Sequence, residues 1–201
     1  MLLNTCYQYN RAILSNVYLH MKNITLKNTA LLLAFMLIGF CKTTHAQKRD
    51  TELQVGENVP SFTLQDQDGK LFNVRDYIGK KVLVLYFYPK DESMVCTKEA
   101  CAFRDEFDSF TKAGAMVIGI NGGTVASHKE FQQHYKLPFT LLADQDDKVY
   151  NLFGIKSKMF IPGRVTYVID LHGKVVYKHN AMLQGKEHAD NALAYIKSAK
   201  K

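Results

Sequence analysis

From Lys81 to Tyr88 the chain reads KVLVLYFY, an almost unbroken run of apolar, β-branched and aromatic residues of strand length. A strand without polar alternation is buried on both faces, as central strands of α/β sheets are. Pro89 ends it. Ala115 to Asn121 (AMVIGIN) is a second strand of this kind, and Phe139 to Ala143 a shorter third. Between them the period changes to that of a helix. Ser93 to Lys112 is predicted helical, as is Thr124 to Tyr135, where Val125, His128, Phe131 and Tyr135 recur at helix spacing. Asp146 to Phe153 predicts a short helix ending at Gly154. Arg164 to Asp170 and Lys174 to His179 are strands joined by Leu171-His172-Gly173, and Glu187 to Ala199 is a closing amphipathic helix. Upstream, Phe62-Thr63-Leu64 and Lys70-Leu71-Phe72 flank Asp66-Gln67-Asp68-Gly69, a hairpin with Asp-Gly turn chemistry. Asp76 to Gly79 reads as a single capped turn, and residues 47–58 as a polar tail leading into the fold.

This order predicts an α/β sandwich with a central mixed sheet flanked by helices. The pattern is compatible with a thioredoxin-like fold and with other α/β layouts. With 201 residues there is room for one ordinary domain. Apolar residues at 47% and charged residues at 22% are near the globular average, which excludes a disordered chain, a collagen and a coiled coil.

The net charge of +7 suggests a nucleic-acid partner until its distribution is read. Residues 1–46 hold Arg11, Lys22, Lys27 and Lys42 and no acid, so four of the seven charges sit there. No stripe of Lys/Arg with interleaved aromatics follows, and no nucleic acid is expected as a partner.

Residues 30–41 (ALLLAFMLIGFC) are an uncharged run of 12, too short to cross a bilayer as a helix, which takes about 20. Lys22 and Lys27 precede it, and Thr44-His45-Ala46 places small residues where a signal peptidase cuts. That is the pattern of a secretory signal peptide over residues 21–46, with no stable membrane insertion once it is removed. Residues 1–20 form an upstream extension, and Met21, followed by Lys22, is the candidate translation start. Export predicts a periplasmic or extracytoplasmic location. Cys41 ends the apolar run as a lipid-modified cysteine would, but Phe40 stands where a lipobox has Gly or Ala. The predicted mature domain, 47–201, keeps only Cys96 and Cys101.

Both cysteines lie in Pro89-Lys-Asp-Glu-Ser93-Met-Val-Cys96-Thr-Lys-Glu-Ala-Cys101, at the opening of a helix. Cys96, Ala100, Phe103, Phe107 and Phe110 define its apolar face. Cys96 therefore sits in the first turn, where unpaired N–H groups and the positive end of the helix dipole favour a thiolate. Cys101 lies about 140° further round, on the face of Arg104, Asp105 and Asp108. Five residues of helix separate the two Cα atoms by about 8–9 Å. A disulfide takes roughly 4.4–6.8 Å, so the two can bond only if the first turns unwind. Zinc is not expected, because further Cys or His ligands are missing, and Cys-x-x-Cys reductase chemistry does not fit this spacing. Two unrelated cysteines, one a small core residue, remain open on pattern alone.

The segment resembles the peroxiredoxin pattern Pro-x-x-x-Thr/Ser-x-x-Cys at Pro89, Ser93 and Cys96. Further matches resemble the peroxiredoxin Q or bacterioferritin-comigratory-protein branch. They are Cys-Thr-x-Glu-Ala-Cys at 96–101, Phe103-Arg104-Asp105, Ser127-His128-Lys129, Leu137 to Leu142 and Pro162-Gly-Arg164-x-Thr-Tyr167. The resemblance spans residues 53–201. One departure is Met94-Val95, where the branch usually has Pro-Gly.

The resemblance implies a thioredoxin-like fold and a thiol peroxidase that reduces hydrogen peroxide and organic hydroperoxides, in antioxidant defence. Cys96 would be the peroxidatic thiolate and Cys101 the resolving cysteine. Arg164 would stabilise the thiolate and the developing charge on the leaving oxygen. Ser93 would orient the peroxide, and Pro89 would shield the thiolate from water. No cofactor or metal is implied, a thioredoxin-like protein would supply electrons, and a monomer is expected. Glu99 and Arg104 are candidates to tune the site, though helix-surface charges are usually just solvated. His128 reads as a packed core residue and Met94 as a hydrophobic lid. The rival readings are an exported thiol–disulfide exchange protein of the same fold and a redox sensor or binding domain. Arg164 and Ser93 discriminate, because a disulfide exchanger has no need for an anion-stabilising Arg over its cysteine.

Overall fold

The side chains of the central strand point alternately to two faces, and each face has its own core. In the computed structural model, which describes residues 49–157 and 160–199, this strand is β3 (Val82–Phe87). Val84 and Tyr86, with Tyr88 beyond the strand's end, enter one apolar cluster. Leu83, Leu85 and Phe87 enter the other. That is the period of 2 expected of a doubly covered strand.

The remaining strands are β1 (Thr63–Asp66), β2 (Leu71–Asn73), β4 (Ala115–Asn121), β5 (Thr140–Ala143), β6 (Val165–Ile169) and β7 (Val175–Asn180). They form one sheet in the order β2-β1-β5-β4-β3-β6-β7. The pairs β3–β4 and β4–β5 are parallel. Antiparallel pairs complete both flanks. The mixed sheet is the one the sequence predicts, and β1 and β2 are the expected hairpin. Gly69 takes a positive φ there, and the Asp66 carboxylate accepts the Asp68 and Lys70 amides, both at 2.9 Å.

The helices are α1 (Met94–Asp105), α2 (Phe107–Lys112), α3 (Val125–Tyr135), α4 (Lys148–Leu152) and α5 (Gly185–Ser198). The single helix predicted over Ser93–Lys112 is broken at Glu106, whose φ of −98° and ψ of 8° leave the helical region. Phe103 and Phe110 flank the break, and both reach zero exposure in one cluster. The turn expected at Asp76–Gly79 begins earlier, as a 3₁₀ turn over Val74–Asp76, because the Asn73 side chain caps it at the Arg75 amide. Residues 49–58 are not a tail. Leu53 is fully buried, its amide donates to Phe153 O at 2.8 Å, and Gly56 and Val59 donate to Val175 and Gly173. A single leucine in a polar stretch carries no periodicity, so pattern does not flag it.

The expected leader, with Cys41, and the upstream extension lie outside the described residues. Among those described, no helix is long and apolar enough to cross a membrane.

Candidate active site

The carboxyl end of β3 leads through Tyr88–Ser93 into α1, and this turn is tightly organised. Asp91 is buried and takes four hydrogen bonds. Tyr88 Oη (2.8 Å) and Asn121 Nδ2 (2.9 Å) donate to Oδ1. Ser127 Oγ (2.6 Å) and His128 Nδ1 (2.8 Å) meet Oδ2. His128 is fully buried, and its Nε2 faces the Leu142 carbonyl at 3.2 Å. Burial pushes the Asp91 carboxyl up, but the bonds from His128, Ser127 and Tyr88 outweigh it and hold its pKa below the ordinary value. His128 is thus the packed residue the sequence suggests. What it packs against is an acid that anchors the turn carrying Pro89 and Ser93, and Asp91 itself gave no signal in the sequence.

Cys96 is the third residue of α1 and is 1% exposed. Its Sγ accepts a hydrogen bond from Arg164 Nη2 at 3.1 Å. Arg164, 2% exposed, sits just before β6, where the sequence places it. Its remaining donors are also engaged. Nε donates to the Met182 carbonyl at 2.9 Å, and Nη1 donates to Glu99 Oε2. Burial works against the Arg164 charge, but Glu99 and Cys96 outweigh it and raise its pKa above the ordinary arginine value.

Glu99 is the residue the sequence reading undervalues. It is a fully buried partner of Arg164 rather than a solvated helix-surface charge. Burial pushes its carboxyl up to about 8, with Arg164 pulling the other way. Its Oε1 has no hydrogen-bond partner. His188 of α5 approaches that oxygen at 3.6 Å. The approach is close because Gly185 starts α5: a Cβ there would lie 2.6 Å from the Val95 carbonyl and 3.1 Å from Glu99 Cβ.

The other expected residues divide. Ser93 stands at the N-cap position of α1 but makes no capping bond; its hydroxyl donates to Lys90 O at 3.3 Å. Pro89 is half-buried. It lines a cavity of about 580 Å³ with Asp91, Asn121, Ser127, Tyr150 and Pro162, whereas Cys96, Ser93 and Arg164 are not part of its wall. The cavity is therefore a neighbour of the thiol, not its chamber. Cys101 is a half-buried free thiol on the same unbroken helix as Cys96. Arg104 turns away, to Asp105 and to the Tyr135 carbonyl at 2.9 Å. Met94 is 73% exposed and is no lid. It occupies the first helical position, where its side chain finds no apolar wall. Among the described residues no cluster of His, Cys, Asp and Glu could hold a metal ion.

A buried thiol under a fixed guanidinium suits attack on a small, neutral, oxidising electrophile. Residues 55–178 match the family model described as AhpC/TSA family. The chain belongs to the AhpC/TSA family. Within it the relatives are peroxiredoxins of the Q type. The chain is 49% identical over 145 residues to peroxiredoxin Q, chloroplastic, of Oryza sativa subsp. japonica, covering 71% of this chain and 66% of that protein. It is 50% identical over 145 residues to that of Suaeda salsa, covering 71% and 67%. Matches of this kind span about two thirds of the curated relatives' length. The crystal structure of peroxidoxin BcpB from Mycobacterium tuberculosis aligns with a TM-score of 0.71 at 30% identity, over 75% of this chain and 100% of that one.

The fold is therefore the thioredoxin-like fold of peroxiredoxins, and the protein is a thiol-dependent peroxidase, an oxidoreductase. Peroxiredoxins take peroxides as substrates and thioredoxin-like proteins as reductants. The expected periplasmic or extracytoplasmic location is corrected. The curated relatives named here are chloroplastic proteins, which speaks against the expectation of export. Basic, acid-poor composition is common to transit peptides and export signals, so the charge of residues 1–46 does not separate the two.

Proposed function

We propose that in this thiol-dependent peroxidase Cys96 is the nucleophile that reduces hydrogen peroxide and organic hydroperoxides, and Cys101 the thiol that resolves it. The observation that carries the reading is the 3.1 Å bond from Arg164 Nη2 to Cys96 Sγ between two buried side chains. Arg164 holds the thiolate and meets the charge that develops on the leaving oxygen with donors already fixed in place. The thiolate attacks one peroxide oxygen and becomes a sulfenic acid while water or an alcohol leaves. Cys101 then forms a disulfide with Cys96, and a thioredoxin-like dithiol reduces it. Ser93 orients the peroxide; its hydroxyl is not committed to capping α1. Pro89 adds no N–H of its own beside the thiol and limits its contact with water. The burial of Cys96 speaks against the thiol–disulfide exchange reading, since a protein disulfide needs more access than a peroxide does.

We also propose that the protein works as a monomer and that residues 47–201 are the working domain, released by removal of the preceding targeting segment. The roles are tested by trapping. Cys101→Ser, given one equivalent of peroxide, is expected to yield a Cys96 sulfenic acid that dimedone captures, whereas wild type yields the Cys96–Cys101 disulfide. A Cys101→Ser protein that shows no sulfenic acid at Cys96 contradicts the assignment.

A further inference from the structure

Arg164 is one buried cation facing two buried acids, the Cys96 thiol through Nη2 and the Glu99 carboxyl through Nη1. Two anions on one cation would leave a net negative charge in a dry site, which is expensive. One proton too few or too many is avoided if the two acids hold one proton between them. Building on the peroxidase reading above, we propose that Cys96 and Glu99 share a single proton across Arg164. Glu99 carries it while Cys96 is a thiolate and gives it up when oxidation removes the thiolate charge.

The surroundings of Glu99 favour a carboxylic acid in the reduced protein. His188 Nε2 faces the Ala181 carbonyl at 2.9 Å, an acceptor, so Nε2 carries the ring hydrogen. Burial holds the His188 ring neutral, with its pKa lowered to about 4. Nδ1 is then a lone pair, 2.8 Å from Thr166 Oγ1 and 3.6 Å from Glu99 Oε1. A carboxylate oxygen opposite a lone pair has no donor, and Oε1 is indeed without a partner. As a carboxylic acid it can donate to Nδ1 once the Thr166 hydroxyl turns away from that lone pair. The groups around Glu99 are Cys96 from its own helix, Arg164 ahead of β6, Tyr86 from β3, and His188 from α5, with His179 of β7 packed on the His188 ring at 4.6 Å between centroids. Arg164 is the one fixed positive charge among them. The carboxyl's position at about 8 agrees with this arrangement.

The step balances. Thiolate, carboxylic acid and hydroperoxide become sulfenic acid, carboxylate and alcohol. The S–O bond forms, the O–O bond breaks, sulfur is oxidised by two electrons, the peroxide is reduced by two, and the proton lost by Glu99 equals the one gained by the leaving alkoxide. Arg164 faces one anion before and one after. On reduction the Cys96 thiol returns its proton to Glu99. Glu99 acts through Arg164, so it is a positioning residue rather than a catalytic one.

Infrared difference spectroscopy of the full chain carrying Cys101→Ser, which stops at the sulfenic acid before α1 unwinds, tests this. At pH 7, adding one equivalent of hydrogen peroxide to this reduced protein should remove one protonated-carboxyl band and create one carboxylate band. Carbon-13 glutamate labelling should shift both bands, which separates Glu99 from aspartates such as Asp144. Glu99→Gln in the same background should abolish both, and the labelled Cys101→Ser protein keeps the test decisive if that variant does not fold. If peroxide is consumed and the glutamate bands do not change, the shared proton is refuted while the peroxidase reading stands. If Cys96 is not oxidised at all, both fall.

Discussion

At the residue scale the site turns on Arg164 and its two acids. Arg164→Lys keeps the charge but loses the planar set of donors that engages Cys96, Glu99 and Met182 together. We expect a marked fall in the rate of Cys96 oxidation, about 10²-fold or more by the magnitude for a lost charge-stabilising donor. Single-turnover kinetics check this, and an unchanged rate would take Arg164 out of the site. Two buried groups also tie stability to pH. Glu99 is raised from 4.5 to about 8, so between those values it binds more protons folded than unfolded and, taken alone, makes stability fall as pH rises. His188 is lowered from 6.5 to about 4, so over that window stability rises with pH. The two oppose each other between about pH 4.5 and 6.5. Above that, the proton held by Glu99 is the one Cys96 has given up, so the pair binds as many protons folded as unfolded and the stability of reduced protein should change little between pH 6.5 and 8. Urea midpoints at the two pH values measure this, and a clear fall in stability over that range would contradict the shared proton.

At the element scale, α1 carries both Cys96 and Cys101, the proposed redox thiols, and the structure shows it unbroken through them. Two cysteines five apart on a helix are out of bonding reach, so disulfide formation must break helical hydrogen bonds. The cost is tolerable because the first turn is a helix's least secured part. The oxidised protein is expected to lose helix from Cys96 to about Phe103 and to be less stable than the reduced form, the reverse of a disulfide's usual effect. Amide hydrogen exchange on both forms measures it; equal protection of residues 96–103 would indicate that another thiol resolves Cys96. The same helix shows what pattern can and cannot reveal. Its apolar stripe placed Cys96, Ala100 and Phe103 inward, and all three are buried. Glu99 lies about 60° from Cys96 on the helical wheel, at the edge of that stripe. Only the positions of Arg164 and α5, fixed by the sheet, decide that it is buried. The break at Glu106 was equally hidden, since Phe107 and Phe110 continue the period across it.

At the scale of the whole molecule, β3, β4, β6 and the closing helix were legible because their apolar periods are long and unambiguous. The hairpin was legible through its Asp-Gly turn. The packing of residues 49–58 was not, since Leu53 is a lone apolar residue whose partners, Phe153 and the β7 region, are distant in sequence. The proposed nucleophile Cys96, Arg164 and the turn that carries Pro89 and Ser93 lie on three separate elements: α1, the residue before β6, and the β3–α1 connection. The resemblance named them separately, and the antiparallel β3–β6 pairing places Arg164 against Cys96. The location inferred from the leader failed because length, charge and a small-residue end are shared by segments with different destinations.

The central claim is that reduced Cys96, held by Arg164, consumes peroxide. Stopped-flow mixing of the reduced protein with hydrogen peroxide measures it directly. Wild type should consume peroxide rapidly, at a rate proportional to its concentration, and Cys96→Ser should fall to the background reaction. A Cys96→Ser protein that consumes peroxide as fast as wild type would contradict the account.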